Sequence, residues 1–288
     1  MYNSDWHIHT EASYDGELPI EELIQSARKM GLTSFGITDH ANYNSVSFLD
    51  NMRHSRQLYE THQMEGLYFG VELTPIAHPL YDYCAIHGTP EGYSPRAQAE
   101  PYGIALALTL EDMQRFGFHY AVGAAHWVLN VPYEQDTVIR EWHRQQMALA
   151  CDSRIDILGH PWWFWGENHI WIDSNDRYLD KPWFSDFTVI PRSMHNELAA
   201  ALKENNVCIE ANAKMILGDR YPEGFYRKYA EYLRYMFEQG VPMTFGSDSH
   251  GPLYPDLREK VEAVLKQVGF QSGDFTSPVI HSDRAITV

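Results

Sequence analysis

The sequence predicts an α/β barrel, on three observations. Short apolar strands alternate with amphipathic helices about seven times along the chain. The helices have the length that links parallel strands into βαβ units. Successive strands end in His, Asp or Glu, and the C-terminal strand ends are where such barrels gather their chemistry.

The elements follow in order. Asp5–Thr10 is the first strand. Pro19 then sits where a helix starts, and Ile20, Leu23, Ile24 and Ala27 fall at i, i+3, i+4 and i+7 before Gly31 closes it. Thr33–Thr38 is the second strand, Ser47–Gln63 a helix and Leu67–Leu73 the third strand. From about 74 to 117 the chain is rich in Pro, Tyr and Gly, which predicts an irregular insertion with a hairpin near Tyr83–Ile86. Strand Tyr120–Ala125, helix Tyr133–Cys151 and strand Ile155–Leu158 come next. An aromatic-rich loop at about 161–187 precedes helix Ser193–Glu204 and strand Val207–Ala211. Helix Glu223–Gln239 stops at Gly240, and strand Pro242–Gly246 and helix Leu257–Val268 complete the set. About seven strand–helix units favour closure over an open sheet, within a single domain spanning 1–288.

Bulk properties narrow the function. The 288 residues can bury one large core. The formal net charge of −17 argues against a surface that grips nucleic acid or an anionic membrane. It leaves an anionic substrate open, because bound cations can reverse the local sign. No basic segment followed by an apolar run opens the chain, and no stretch approaches the roughly 18 apolar residues of a membrane span. The expectation is a cytoplasmic protein with no membrane association. Cys84, Cys151 and Cys208 are far apart and form no CxxC, so they are expected as reduced, mostly buried thiols.

The strand ends carry the unusual residues. His7 and His9 form a His-x-His, and residues i and i+2 of a strand share a side, so both rings can reach one ion. The next ends are Thr38-Asp39-His40, Gly70-Val71-Glu72, Ala124-Ala125-His126, Gly159-His160-Pro161 and Gly246-Ser247-Asp248-Ser249-His250. Asp15 adds a carboxylate in the loop after the first strand. Any one of these could be a chance polar residue. Together, six His and three acids would converge on the barrel axis, where burying them uncompensated is severely destabilising. Divalent cations would compensate. A His and carboxylate set without Cys suits Zn, Mn or Fe. It exceeds the needs of one tetrahedral ion, so two or three ions are expected, with Glu72 a candidate bridge. His54, His62, His119, His143, His195 and His281 read as core or surface residues. His78, His87 and His169 lie in irregular segments that could cover the site.

These stretches resemble the PHP family, named for polymerase and histidinol phosphatase. The matching residues are Asp5-Trp6-His7-Ile8-His9-Thr10, Ser13-Tyr14-Asp15-Gly16, Pro19-Ile20-Glu21-Glu22-Leu23, Gly36-Ile37-Thr38-Asp39-His40, Gly70-Val71-Glu72, His126, Gly159-His160-Pro161 and Gly246-Ser247-Asp248-Ser249-His250. The resemblance implies a distorted (β/α)7 TIM-like barrel with a trinuclear metal centre. It implies that His7, His9, Glu72 and Asp248 hold one ion, Glu72, His126 and His160 a second, and Asp15, His40 and His250 a third. Many family members carry His at the Asp15 position. The segment Ile209-Glu210-Ala211-Asn212-Ala213-Lys214 resembles histidinol-phosphatase-like members, in which an Arg usually follows the Glu-x-Asn. Here Lys214 and Arg220 are the nearest cations.

The implied activity is hydrolysis of a phosphate ester by a metal-bound hydroxide. The substrate is a small organic phosphate, with histidinol phosphate one candidate. Cations lower the pKa of bound water toward about 7 and clamp the attacking and leaving oxygens. Asp248 is the expected orienting or proton-accepting group, and His250 the expected aid to the leaving oxygen. Lys214 or Arg220 would contact phosphate, and Trp163, in an aromatic run with Trp162, Phe164 and Trp165, would either wall the organic part or belong to a satellite core under a long loop. The rival readings are a phosphodiesterase or nuclease of the same family, an amidohydrolase-type metal hydrolase, and a metal-stabilised scaffold without turnover.

Overall fold

A computed structural model describes residues 3–41, 48–77, 104–126, 134–163, 187–217, 223–253 and 255–281. Its strands are β1 (Ser4–Ile8), β2 (Ser34–Ile37), β3 (His40–Ala41), β4 (Leu67–Leu73), β5 (Ile76–Ala77), β6 (Ile104–Ala105), β7 (Tyr120–Gly123), β8 (Ile157–Leu158), β9 (Cys208–Asn212) and β10 (Met243–Gly246). Its helices are α1 (Ile20–Lys29), α2 (Phe48–Thr61), α3 (Leu110–Phe116), α4 (Gln135–Ala150), α5 (Arg192–Glu204), α6 (Ala213–Leu217), α7 (Glu223–Glu238) and α8 (Pro255–Gln267).

Seven strands pair in parallel in the order β1-β2-β4-β7-β8-β9-β10, with β3 alongside β4. The two ends of this row meet. Asp248 N donates to His7 O at 2.8 Å, and His9 N donates to Ser249 O at 2.9 Å. The result is a nearly closed barrel wrapped by helices.

The main core lies between strands and helices. Helix α1 shows why it forms there. Pro19 presets its entry, Glu21 and Glu22 sit in its first turn, Arg28 and Lys29 in its last, and Ile20, Leu23, Ile24 and Ala27 are buried. Strand β9 alternates as a barrel strand must. Ile209 and Ala211 join the helix-packed core, while Cys208 belongs to a smaller inner cluster with Trp6, Tyr120, Val122 and Ile157. Gly36 and Gly70 make room for the Tyr120 ring, because a Cβ at either would collide with it.

Three expectations change. Where it is described, at 74–77 and 104–117, the insertion is more regular than its composition implied. β5 and β6 pair antiparallel, and α3 is closed by a reciprocal Thr109–Asp112 capping box and by Gly117 at φ 71°. The Thr-x-x-Asp followed by Gly was the available signal. The hairpin near Tyr83–Ile86 lies outside the described residues. Cys208 is buried, with its thiol pushed up to about 12 by desolvation, but Cys151 is exposed at the end of α4. Cys84 lies outside the described residues. β1 is not a uniform strand either, since its register against β2 shifts between Asp5 and Ile8. No helix among the described residues is long and apolar enough to cross a membrane.

Candidate metal centre

All nine side chains singled out at strand ends and in the first loop meet at one end of the barrel. Glu72, from the middle of the sheet, is the hub. Its Oε2 lies 3.3 Å from His7 Nε2, 3.4 Å from His9 Nε2 and 2.9 Å from His40 Nδ1. Its Oε1 lies 3.3 Å from His126 Nε2 and 3.2 Å from His160 Nε2. Asp248 Oδ1 is 3.9 Å from His7 Nε2 and 3.6 Å from His9 Nε2. Toward solvent, Asp15 Oδ2 is 3.3 Å from His40 Nε2 and 3.2 Å from His250 Nε2. Asp15 and His250 are partly exposed, while the other seven are buried.

Three groups place donor atoms within 4.8 Å of one another: His9, Asp15, His40 and His250; His7, His9 and Glu72; and His40, Glu72 and His126. His9 and His40 therefore lie between the groupings that the family resemblance keeps apart.

The electrostatics call for cations. Burial alone would raise the Glu72 carboxyl, but His40, His7 and His126 hold it well below the usual carboxylate range. Asp248 is likewise held low, against its burial, by Lys214 and His7. Desolvation drives His126 down to about 3, whereas His40, despite its burial, is raised to about 10 by Glu72 and Asp15. Without ions, some imidazoles must carry protons to balance the acids. Yet His7 Nε2, both ring nitrogens of His9, His40 Nδ1, His160 Nδ1 and Glu72 Oε2 are buried without a hydrogen-bond partner. Such orphans are costly unless an ion takes them up. The residues present fit divalent cations, and the nitrogen and oxygen donor set suits Zn, Mn or Fe.

A supporting layer carries residues to which the sequence reading gave no role. Glu210 Oε1 is 2.8 Å from His7 Nδ1, and its Oε2 accepts from His160 N at 2.6 Å and Asn212 Nδ2 at 3.1 Å. Asn212 Nδ2 also donates to Asp248 Oδ2 at 3.3 Å. Thr74 Oγ1 lies 3.1 Å from His126 Nδ1. Asp39 accepts from Thr10 N at 2.7 Å and from Ser55 Oγ, which ties down the loop after β1. The Glu-x-Asn at the end of β9 occupies the same strand-end position as the other acids, and that was the signal to follow.

Lys214, on α6, places Nζ 3.0 Å from Asp248 Oδ1 and 2.8 Å from His250 Nδ1. The Trp163 ring lies 4.3 Å from the His160 ring and 5.4 Å from that of His126. Arg220, the remaining aromatic run from Phe164 on, and His78, His87 and His169 lie outside the described residues. His62, His143, His195 and His281 make their contacts away from the cluster.

Fold and site together define a class: a parallel barrel that gathers, at the C-terminal ends of its strands, imidazoles and carboxylates whose donor set fits divalent cations. A family model described as the PHP domain matches residues 5–214. The chain belongs to the PHP domain family. The match stops short of β10, so Asp248 and His250 are placed by the structure alone. The probable histidinol-phosphatase of Thermotoga maritima is 29% identical over a stretch covering 40% of this chain and 51% of that protein. The chain thus spans about half the length of the curated relative it matches. The crystal structure of histidinol phosphate phosphatase from Lactococcus lactis subsp. lactis Il1403, complexed with zinc, L-histidinol and phosphate, aligns with a TM-score of 0.60 at 16% identity. The alignment covers 93% of this chain and 94% of that one, and shows a shared fold.

Proposed function

We propose that this protein hydrolyses a phosphate monoester of a small organic molecule, with histidinol phosphate the first candidate to test. The observation that carries the reading is Glu72, one buried carboxylate within 3.4 Å of five imidazoles on four segments. Such a hub has the shape of a ligand bridging two cations. Of the similar proteins named above, one is a probable histidinol-phosphatase and the other a histidinol phosphate phosphatase complexed with zinc, L-histidinol and phosphate.

His7, His9, Glu72 and Asp248 would hold one ion, Glu72, His126 and His160 a second, and Asp15, His40 and His250 a third. When bound, divalent cations would polarise phosphoryl oxygens and make water a nucleophile near neutral pH. The remaining work falls to the chain. The water oxygen bonds to phosphorus as the ester P–O bond breaks. Asp248, its Oδ2 fixed by Asn212, orients the water and accepts its proton. His250, at the open side, steadies the leaving oxygen, which takes up the proton that Asp248 accepted. Lys214 neutralises a phosphate oxygen, and Trp163 lines the space for the organic part.

The test loads purified protein with Zn, Mn or Fe and measures phosphate release from histidinol phosphate, nucleotides and a phosphodiester, with amide and lactone substrates as controls. Monoester turnover that Glu72→Gln reduces by at least about 100-fold is expected, since the bridge is lost. Turnover confined to diesters, amides or lactones, or metal binding without any turnover, would overturn the reading.

A further inference from the structure

His250 Nδ1 has two neighbours that cannot both be its partners. One is Lys214 Nζ at 2.8 Å, and the other is the Asp248 carbonyl oxygen at 3.1 Å. An ammonium only donates, so a hydrogen bond from Lys214 needs a bare Nδ1. A carbonyl only accepts, so a hydrogen bond to Asp248 O needs a proton on Nδ1. In a neutral imidazole the second nitrogen takes the opposite role. That second nitrogen, Nε2, points at Asp15 Oδ2, 3.2 Å away, within the group of His9, Asp15, His40 and His250.

The two tautomers therefore differ in what they offer a cation. With Nδ1–H on the Asp248 carbonyl, Nε2 presents a free lone pair. With Lys214 on Nδ1, Nε2 carries the proton and can only donate to Asp15. The net charge of His250 is the same in both. Lys214 adds a second obstacle, because its own positive charge stands against an incoming ion. Its side chain is 45% exposed on a five-residue helix, so its four-carbon stem has room to swing once the ammonium gives up Asp248 Oδ1 and His250.

We propose that Lys214 withholds the Asp15–His40–His250 position from a metal ion, releasing it only when the ammonium leaves His250, as it does to meet an anion. The inference rests on reading the cluster as a cation centre. It makes the ions unequal. Two at Glu72 are held tightly, and the outer one is weak until Lys214 moves.

The experiment titrates Mn²⁺ or Zn²⁺ into metal-free wild type, Lys214→Met and Lys214→Arg, by equilibrium dialysis with elemental analysis. Lys214→Met keeps the stem and removes the charge and the donors. In that variant the weakest ion is expected to bind on the order of tenfold tighter, with the two tighter ions unchanged. Lys214→Arg keeps charge and donors and is expected to stay weak. A second readout is the nitrogen NMR of His250 in the metal-free proteins. Wild type should show the Nε2–H tautomer and Lys214→Met the Nδ1–H tautomer. An outer-ion affinity that is unchanged or lower in Lys214→Met, or an Nδ1–H tautomer or a doubly protonated ring already dominant in wild type, would overturn the proposal. If no ion binds to any of the three proteins, the cation centre and this inference fall together.

Discussion

Two side chains aimed into the cluster sit on unusual backbone. His160 has φ 24° and Asp248 φ 53°, in the region an L residue enters at a cost of about 1–3 kcal/mol. Both are held there by neighbours, His160 N on Glu210 and Asp248 N on His7 O. Nothing in the sequence announces left-handed backbone at a His or an Asp, so this was not legible. Glu210 escaped for a related reason. It is not at the cluster itself; it holds in place the residues that are. Its carboxylate fixes the His7 ring through Nδ1, the usual arrangement by which an outer acid orients a ligand imidazole. Glu210→Ala is expected to weaken metal binding by about 10–100-fold while the barrel still forms. Calorimetric titration with Zn²⁺ against wild type checks this, and equal affinity would show Glu210 to be a passive core acid.

At the scale of elements, most of the barrel was readable because one rule repeats. An apolar run ends, a His or acid follows, and the chain turns into a helix. That repetition exposed eight of the nine converging residues although they lie far apart in sequence, and Asp15 added itself from the loop after β1. What failed was local geometry without a periodic signature. The slipped register of β1 needs its partner strand to be seen, and α3, a helix of seven residues, was hidden by its Pro- and Gly-rich surroundings. The inner glycines belong here too. A Cβ on Gly246 of β10 would collide with Glu210 Oε1 and stand 2.7 Å from the His7 Cβ. Glu210 is pinned by three hydrogen bonds and cannot move cheaply. Gly246→Ala is therefore expected to cost about 1–3 kcal/mol of stability and to weaken metal binding with it. Urea unfolding followed by a Zn²⁺ titration would show both losses, and a variant normal in both would mean that β10 shifts freely.

For the molecule as a whole, charge and stability meet in the same place. The chain carries 39 acidic and 22 basic residues, and at least three of its carboxylates are packed among the imidazoles of one centre. Ions that bind only the folded state stabilise it by mass action, about 2.7 kcal/mol for one ion at a hundred times its dissociation constant. Dialysis against a chelator should lower the melting temperature by roughly 5–10 °C, and returning Zn²⁺ or Mn²⁺ should restore it. An unchanged melting curve would mean that protons alone balance the buried acids. The seam between β1 and β10 carries a consequence for how the protein comes into being. Seven of the nine converging residues precede position 161, but Asp248 and His250 follow almost ninety residues later. They arrive just past β10, where the backbone of Asp248 and Ser249 locks onto His7 and His9. A chain emerging from the ribosome can collect its early donors while its pocket is still open on one side. It becomes a complete vessel for its ions only as the last rung zips into the first.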